Sequence, residues 1–208
     1  MKPDRILAIV LAAWLACAPA SAAAAAPTER KAVDAVFDEV FARYRLPGLA
    51  LGIVQDGRVV YSRTAGERVE GEGEAIDSQT LFKVASNTKS MTTATLARLV
   101  DAGKLRWDDP VTKWIPDFRM FDAWVGREMQ VRDLLIHNSG LRAGAGDLML
   151  WPEPNTFTRA DIIHGLAYLK PYRSFRSGYD YDNLMYIVAG EVGGAAGGGP
   201  YEKLVRGG

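Results

Sequence analysis

Hydrophobic positions near the start of the chain recur at helical spacing and then give way to short apolar runs. Over residues 28–44, apolar side chains return every three or four positions, with charged side chains between them, as on an amphipathic helix. Residues 49–54 and 59–62 form two apolar runs, and Asp56 and Gly57 stand between them, which is a strong β-hairpin signal. The pattern predicts a helix that leads into two antiparallel strands.

A second helix is predicted from about Ser86 to Ala102, because Gly103 then provides a stop signal. No charged residue lies between Lys89 and Arg98 in this segment. A helix without a charged face is usually buried. We therefore expect this helix in the core, covered on all sides.

Further along the chain, short apolar segments predict helices or turns separated by polar loops. The glycine-rich run at residues 193–199 matches neither phosphate-binding loop pattern, and we interpret it as a flexible linker. No segment after Leu184 has the pattern of a strand, although a two-stranded hairpin alone is marginal in water. The sequence thus predicts the α+β fold class, with a helical region and part of an antiparallel sheet. The predicted helices or turns are residues 111–115, 131–136, 160–169, 184–192 and 200–206.

The first 26 residues have the pattern of a secretory signal peptide followed by a small-residue spacer. Lys2 and Arg5 give a positive start, residues 6–17 are apolar, and residues 20–22 offer a small-x-small cleavage site. A transmembrane anchor is the alternative, but the apolar run is short for a bilayer. We expect a periplasmic or secreted bacterial protein with no stable membrane span after cleavage.

The remaining residues, 27–208, are expected to form one domain. Cys17 is the only cysteine and lies inside the predicted signal, so a lipoprotein acylated at Cys17 stays an open alternative. A chain cleaved after the signal would have no disulfide, no thiol nucleophile and no cysteine-based zinc site. The charge is balanced, with 25 basic and 25 acidic residues, which argues against nucleic acid as a partner.

Ser86 and Lys89 are the first candidates for chemistry. Residues three apart share one face of a helix, and a serine at the helix start lies at the positive end of the helix dipole. A lysine without an acidic neighbour can serve as a base that activates the hydroxyl. With eight serines and eight lysines in the chain, chance gives roughly 0.3 pairs at this spacing, so a helix-capping serine beside a surface lysine is the plain alternative.

A second candidate group is the Tyr181-Asp182-Asn183 segment, which directly precedes a predicted helix. A phenol close to an ammonium group can have a lowered pKa and pass on a proton. An amide two residues later can orient a lysine or bind a substrate carbonyl. Taken alone, these residues are better explained as an ordinary aromatic loop residue and a helix cap.

In their order along the chain, the two groups resemble the serine beta-lactamase-related family, which includes class C beta-lactamases, DD-peptidases and related esterases. The resemblance runs from about Leu46 to Val205. It rests on FKVASNTKSMT at residues 82–92, GKLRWDDPV at 103–111, LLIHNSGL at 134–141 and YDN at 181–183. A beta-lactamase or penicillin-binding-protein-like fold is therefore expected.

The resemblance implies that Ser86 is the acylated nucleophile and that Lys89 and Tyr181 share the proton transfer. It also implies that Asn183 contacts Lys89 or the substrate, and that the Ser86 backbone N–H gives half of the oxyanion hole. The implied substrate is a small molecule or peptide with an ester or amide carbonyl: a beta-lactam, a D-alanyl peptide or a simple ester. No metal and no organic cofactor is implied, and which of Lys89 and Tyr181 is the base stays open.

Two departures from the family pattern qualify this interpretation. Ser177-Gly178 stands where relatives usually have Pro-Gly. Relatives also carry a later Lys-Thr-Gly or His-x-Gly strand that gives the second oxyanion donor, and this chain reaches Gly208 without it. We therefore expect the amino-terminal part of the family domain. The alternative function is an inactive fragment or binding module.

A Ser-His hydrolase is a third hypothesis, since the chain has two histidines, His137 and His164. It lacks the Gly-x-Ser-x-Gly turn that such enzymes use. We expect His137 to be a structural loop residue and His164 a residue of a helix surface.

Overall fold

A computed structural model describes residues 27–207 of the chain. The predicted signal peptide over residues 1–26, including Cys17, lies outside the described residues. The chain divides into two compact units, and the boundary falls between Lys83 and Val84.

In the first unit, a helix is followed by a two-stranded antiparallel hairpin. Helix α1 spans Pro27–Tyr44, strand β1 spans Gly48–Gln55 and strand β2 spans Arg58–Gly66. Asp56 and Gly57 form the turn with φ angles of 49° and 73°, and two positive φ angles suit the tight turns that match strand twist. The predicted helix and hairpin are confirmed.

Two buried aromatic side chains and their polar neighbours join the helix and the hairpin of this unit. Phe37 and Tyr61 are almost fully buried. The Tyr61 hydroxyl donates a hydrogen bond to Asp34 Oδ1 over 2.6 Å, and the Arg63 guanidinium lies 4.4 Å from the centre of the Phe37 ring. These contacts hold α1 against the hairpin. The buried aromatic side chains contribute most of the stabilisation, because aromatic burial dominates the energetics of a small core.

The second unit consists of helices joined by loops, with no strand among its described residues. Its α-helices are α2 (Asn87–Asp101), α3 (Val111–Trp114), α4 (Ala123–Glu128), α5 (Arg159–Gly165), α6 (Leu184–Gly197) and α7 (Tyr201–Arg206). Short 3₁₀ helices lie at Val131–Leu135, Asp147–Met149 and Leu166–Tyr168. Helix α4 was not predicted; its start is capped by Asp122, whose side chain accepts a hydrogen bond from the Trp124 N–H.

Helix α6 is the centre of this unit's core and packs against α2, α3, α5 and α7. Apart from Glu191 and Tyr186, its residues are apolar or small, which is the pattern of a buried helix. Its Met185 and Val188 side chains belong to one continuous set of buried apolar side chains, which also includes Leu96, Leu105, Val111, Phe118, Met129, Leu134 and Leu166. Because α6 directly follows Tyr181 and Asn183 in the chain, this packing fixes where those two residues lie.

The interpretation of residues 193–199 as a flexible linker is wrong. Helix α6 continues to Gly197, and Gly198 ends it with a φ of 74°. The small residues let neighbouring groups approach closely: a Cβ added at Gly193 would lie 3.1 Å from Leu96, and one at Gly197 would lie 2.7 Å from Leu204. Tertiary packing thus outweighs the weak intrinsic helix propensity of glycine.

The expectation that α2 is buried on all sides is also wrong. Thr92, Thr95, Leu96 and Leu99 are buried, but Ser90 and Met91 on the opposite face are exposed. The absence of charge over this stretch reflects hydroxyl side chains that bond to the helix itself: the Thr92 and Thr95 hydroxyls donate to the carbonyls of Thr88 and Met91. Among residues 27–207, no helix has both the length and the apolarity needed to cross a membrane.

Candidate active site

Ser86 stands at the start of α2, directly after a residue with unusual backbone geometry. Ala85 has a φ of 46°, a left-handed conformation that non-glycine residues seldom adopt. Ser86 occupies the N-cap position, yet its side chain makes no capping hydrogen bond. The Ser86 hydroxyl is therefore free for contacts outside the helix, which disfavours the interpretation of Ser86 as a simple helix cap.

Two polar groups contact the Ser86 hydroxyl. Tyr181 Oη lies 2.6 Å from Ser86 Oγ, and the Lys89 ammonium donates to Ser86 Oγ over 3.2 Å. Lys89 Nζ also lies 4.7 Å from the centre of the Tyr181 ring. The structure thus brings together all three predicted catalytic residues.

Asn183 holds Lys89 from the other side. Lys89 Nζ donates to Asn183 Oδ1 over 2.8 Å, so of the two contacts expected for Asn183 the structure has the one to Lys89. The Asn183 amide nitrogen donates to both carboxylate oxygens of Asp147, each over 3.1 Å. Asp147 was missed from the sequence, because it lies 36 residues before Asn183 in a segment predicted to be loop.

His137 supports Tyr181 by stacking and by a backbone hydrogen bond. The His137 and Tyr181 rings stack with centres 4.6 Å apart and planes at 29°. His137 Nδ1 accepts the Asp182 backbone N–H over 3.1 Å, which assigns the ring proton to Nε2 in the neutral form. His137 lies in a turn, as predicted, and His164 lies exposed on α5 as predicted.

Asp182 anchors the same segment from within the core. Its carboxylate accepts from the Ser139 hydroxyl over 2.8 Å and from the Leu184 N–H over 2.9 Å. Only 1% of Asp182 is exposed, and this burial raises its pKa. The segment between Tyr181 and α6 is therefore fixed by buried bonds on both sides of Asp182.

Electrostatics at the site favour proton transfer. The hydrogen bond with Lys89, followed by that with Ser86, lowers the pKa of the Tyr181 phenol. Burial, and then the nearby charge of Lys89, lowers the pKa of His137. A phenol with a lowered pKa beside a serine hydroxyl is the arrangement expected for a proton-transfer group.

Ser86 and Lys89 open onto a cleft of about 340 Å³ within the second unit. This volume suits a small-molecule ligand. The half-exposed Trp151 ring gives the cleft an apolar wall. Other lining residues include Leu150, Glu153, Arg159, Asn183, Tyr186, Ile187 and Tyr201. Residues 27–207 include no group of three or more His, Cys, Asp or Glu side chains placed to bind one metal ion.

Comparison with known proteins identifies relatives of the chain. Esterase EstB of Burkholderia gladioli is 35% identical over 136 residues, which cover 64% of this chain and 33% of that protein. Penicillin-binding protein 4 of Amycolatopsis lactamdurans is 35% identical over 114 residues, which cover 55% of this chain and 29% of that protein. The chain thus spans about a third of the length of these relatives.

Among solved structures, D-amino acid amidase from Ochrobactrum anthropi SV3 matches with a TM-score of 0.69 and 26% identity. The match covers 86% of this chain and 48% of the amidase, and it confirms the predicted fold. The sequence profile described as Beta-lactamase matches residues 33–207, a range that includes every residue of the site. The chain belongs to the Beta-lactamase family.

Proposed function

We propose that the chain carries the nucleophile of a serine hydrolase that is acylated at Ser86. The observation that carries this proposal is the contact of Ser86 Oγ with both Tyr181 Oη at 2.6 Å and Lys89 Nζ at 3.2 Å. A serine hydroxyl is a weak nucleophile until an adjacent base accepts its proton, and here two candidate acceptors are in contact with it.

The proton transfer requires that one of the two groups, Lys89 or Tyr181, is deprotonated. Either the amine or the phenolate then accepts the Ser86 proton as Ser86 Oγ bonds to the substrate carbonyl carbon. When the tetrahedral intermediate collapses, the proton passes to the leaving alcohol or amine. Since two close sites that exchange a proton titrate as a pair, we assign the base function to the pair.

The acyl group is released by the reverse sequence. Water gives a proton to the pair and adds to the ester carbonyl, and Ser86 leaves with a proton returned to it. The Ser86 backbone N–H, at the positive end of the α2 dipole, would donate to the carbonyl oxygen as its negative charge develops. Asn183 keeps Lys89 Nζ directed at Ser86.

The proposed substrates share a carbonyl joined to an oxygen or nitrogen leaving group. The relatives are named an esterase, a penicillin-binding protein and a D-amino acid amidase, and all three names are compatible with acyl transfer to a serine. The cleft beside Ser86 has an apolar wall formed in part by Trp151, which favours an apolar acyl group next to the reacting carbonyl.

Labelling with a fluorescent fluorophosphonate, and in parallel with a fluorescent penicillin, tests the proposal. We expect covalent labelling of the chain at Ser86, located by peptide mass spectrometry, and loss of that labelling in Ser86→Ala. Ser90→Ala is the matched control, since Ser90 lies exposed on the same helix. A folded chain that neither probe labels would contradict the proposal and favour the alternative, an inactive fragment or binding module.

We propose in addition that residues 1–26 are a signal peptide and that the protein acts in the periplasm or outside the cell. The support is the pattern of a positive start, an apolar run and a small-x-small site. Amino-terminal sequencing of the exported protein tests it: a mature chain that still begins at Met1 would contradict it.

A further inference from the structure

Asp147, Asn183 and Lys89 form a bridge in which an amide separates a carboxylate from an ammonium group. The Asn183 amide nitrogen faces Asp147 at 3.1 Å, and its carbonyl oxygen faces Lys89 at 2.8 Å. A carboxylate only accepts hydrogen bonds, and an ammonium group only donates them. The two charged ends therefore permit one orientation of the amide.

The orientation of this amide decides what Lys89 can do. If the Asn183 side chain turned over, its NH₂ group would face Lys89. A charged Lys89 would then lose the oxygen to which it donates a hydrogen bond. An uncharged Lys89 would accept a hydrogen bond from the Asn183 NH₂ group, and this would occupy the nitrogen lone pair that must accept the Ser86 proton. In either protonation state, the reversed amide draws Lys89 away from proton transfer with Ser86.

The backbone around Asp147 is built to hold the carboxylate in place. The Asp147 N–H donates to the Gly144 carbonyl, and the Asp147 carbonyl accepts from Leu150 and Trp151 at 2.8 and 2.9 Å. The preceding Gly146 has a φ of 76°, and a Cβ there would lie 2.4 Å from Leu184. The turn is therefore seated directly on the start of α6, where Asn183 lies.

We propose that Asp147 is a positioning residue that fixes the Asn183 amide and so keeps Lys89 available to Ser86. This inference rests on the proposed acylation of Ser86. Asp147 touches neither Ser86 nor the reacting carbonyl in this scheme, and it acts through Asn183. Its negative charge also opposes formation of the Tyr181 phenolate.

The acylation kinetics of Asp147→Asn test the proposal. The new amide both donates and accepts, so it no longer dictates the orientation of Asn183. We expect the maximal rate of labelling by fluorophosphonate to fall by between about 10-fold and 100-fold, with the concentration for half-maximal rate unchanged. Asp117→Asn, an exposed aspartate between α3 and α4, is the matched control and should label like the unmodified chain.

A readout that needs no catalysis separates the two proposals. The ionisation of Tyr181 is followed by ¹³C NMR of labelled tyrosines, with its signal assigned through Tyr181→Phe. We expect the midpoint to move to higher pH in Asp147→Asn, since the reversed Asn183 amide draws Lys89 away. The hydrogen bond with Lys89 is the largest influence that lowers this pKa, whereas the Asp147 charge is the smallest influence that raises it. The other titratable neighbour, His137, is unchanged. Thermal unfolding verifies that each variant is folded.

The outcomes are distinct. An unmodified chain that is not labelled contradicts the proposed acylation, while the Tyr181 titration still tests the placement of Asp147. If the unmodified chain is labelled and Asp147→Asn is labelled at the same maximal rate, the positioning role is overturned. It is also overturned if Asp147→Asn changes only the concentration of probe needed for the half-maximal rate. A Tyr181 midpoint that stays where it was, or moves to lower pH, in the folded variant also overturns it.

Discussion

Ser86 Oγ and Tyr181 Oη lie 2.6 Å apart, although 95 residues separate them in the chain. Ser86 begins α2, and Tyr181 lies three residues before α6. The two helices pack against each other. Leu96 of α2 lies so close to Gly193 of α6 that a Cβ added at Gly193 would contact it. The distance between the two oxygens is therefore set by helix packing, so changes in that packing act on the chemistry.

The lowered pKa of Tyr181 predicts the pH dependence of acylation. The hydrogen bond with Lys89 lowers this pKa below the ordinary value of 10.0. The phenolate that can accept the Ser86 proton therefore forms at a lower pH than for a free phenol. We expect the labelling rate to rise with pH and to reach half its maximum below pH 10. The labelling rate is measured by quenching the reaction at a series of times at each pH, with Ser86→Ala as the background.

Replacement of the phenol gives the matching test. Tyr181→Phe keeps the stacking on His137 but removes the hydroxyl, and we expect a loss of about 10²–10⁴-fold in labelling rate, the usual contribution of a proton-transfer group. Tyr172→Phe, at an exposed tyrosine, is the control. An unchanged rate in Tyr181→Phe would mean that Lys89 alone accepts the proton.

The buried carboxylate of Asp133 is held by Arg176, and their separation should destabilise the fold. Arg176 donates to the two Asp133 oxygens over 3.0 and 2.6 Å, and Asp133 is only 2% exposed. Since the guanidinium is partly exposed, we expect Arg176→Met to lower the free energy of unfolding by about 2–3 kcal/mol, less than for a fully buried pair. Urea unfolding at neutral pH measures it.

The same pair has a predictable pH dependence. Burial works to raise the pKa of Asp133, but hydrogen bonds from Arg176, the Gln130 N–H and Asn138 together lower it. Stability from this group is therefore present above the unfolded-state pKa and is lost as the pH falls through the lowered folded-state pKa. The difference between Arg176→Met and the unmodified chain should shrink in acid; a constant difference would assign the effect to packing.

A comparison of alanine substitutions at Gly140 and Gly103 separates the cost of backbone strain from the cost of a steric clash. Its φ is 86°, and an added Cβ would lie 2.6 Å from the Arg173 carbonyl oxygen. Gly103 has a φ of 67° with no atom within 4 Å of an added Cβ. We expect Gly103→Ala to cost about 1 kcal/mol of stability and Gly140→Ala about 2–5 kcal/mol, as measured by urea unfolding. Equal losses would show that the Arg173 backbone moves freely aside.

The sequence by itself determined the features that depend on neighbouring residues. The periodicity of residues 28–44, the Asp56-Gly57 turn and the stop at Gly103 are local signals, and the structure has the elements they predict. The spacing of Ser86 and Lys89 on one helical face is local too, and their contact follows from helix geometry. The family resemblance added which distant segment supplies the third residue, Tyr181.

Only the tertiary structure decided the features that depend on partners far along the chain. Residues 193–197 are helical because Leu96 and Leu204 pack against them, whereas local propensity predicts a linker. The exposed face of α2 and the role of Asp147 beside Asn183 have no local signal either. Burial and hydrogen bonding between distant segments contribute more free energy than intrinsic propensity, so these contacts could not be inferred from neighbouring residues alone.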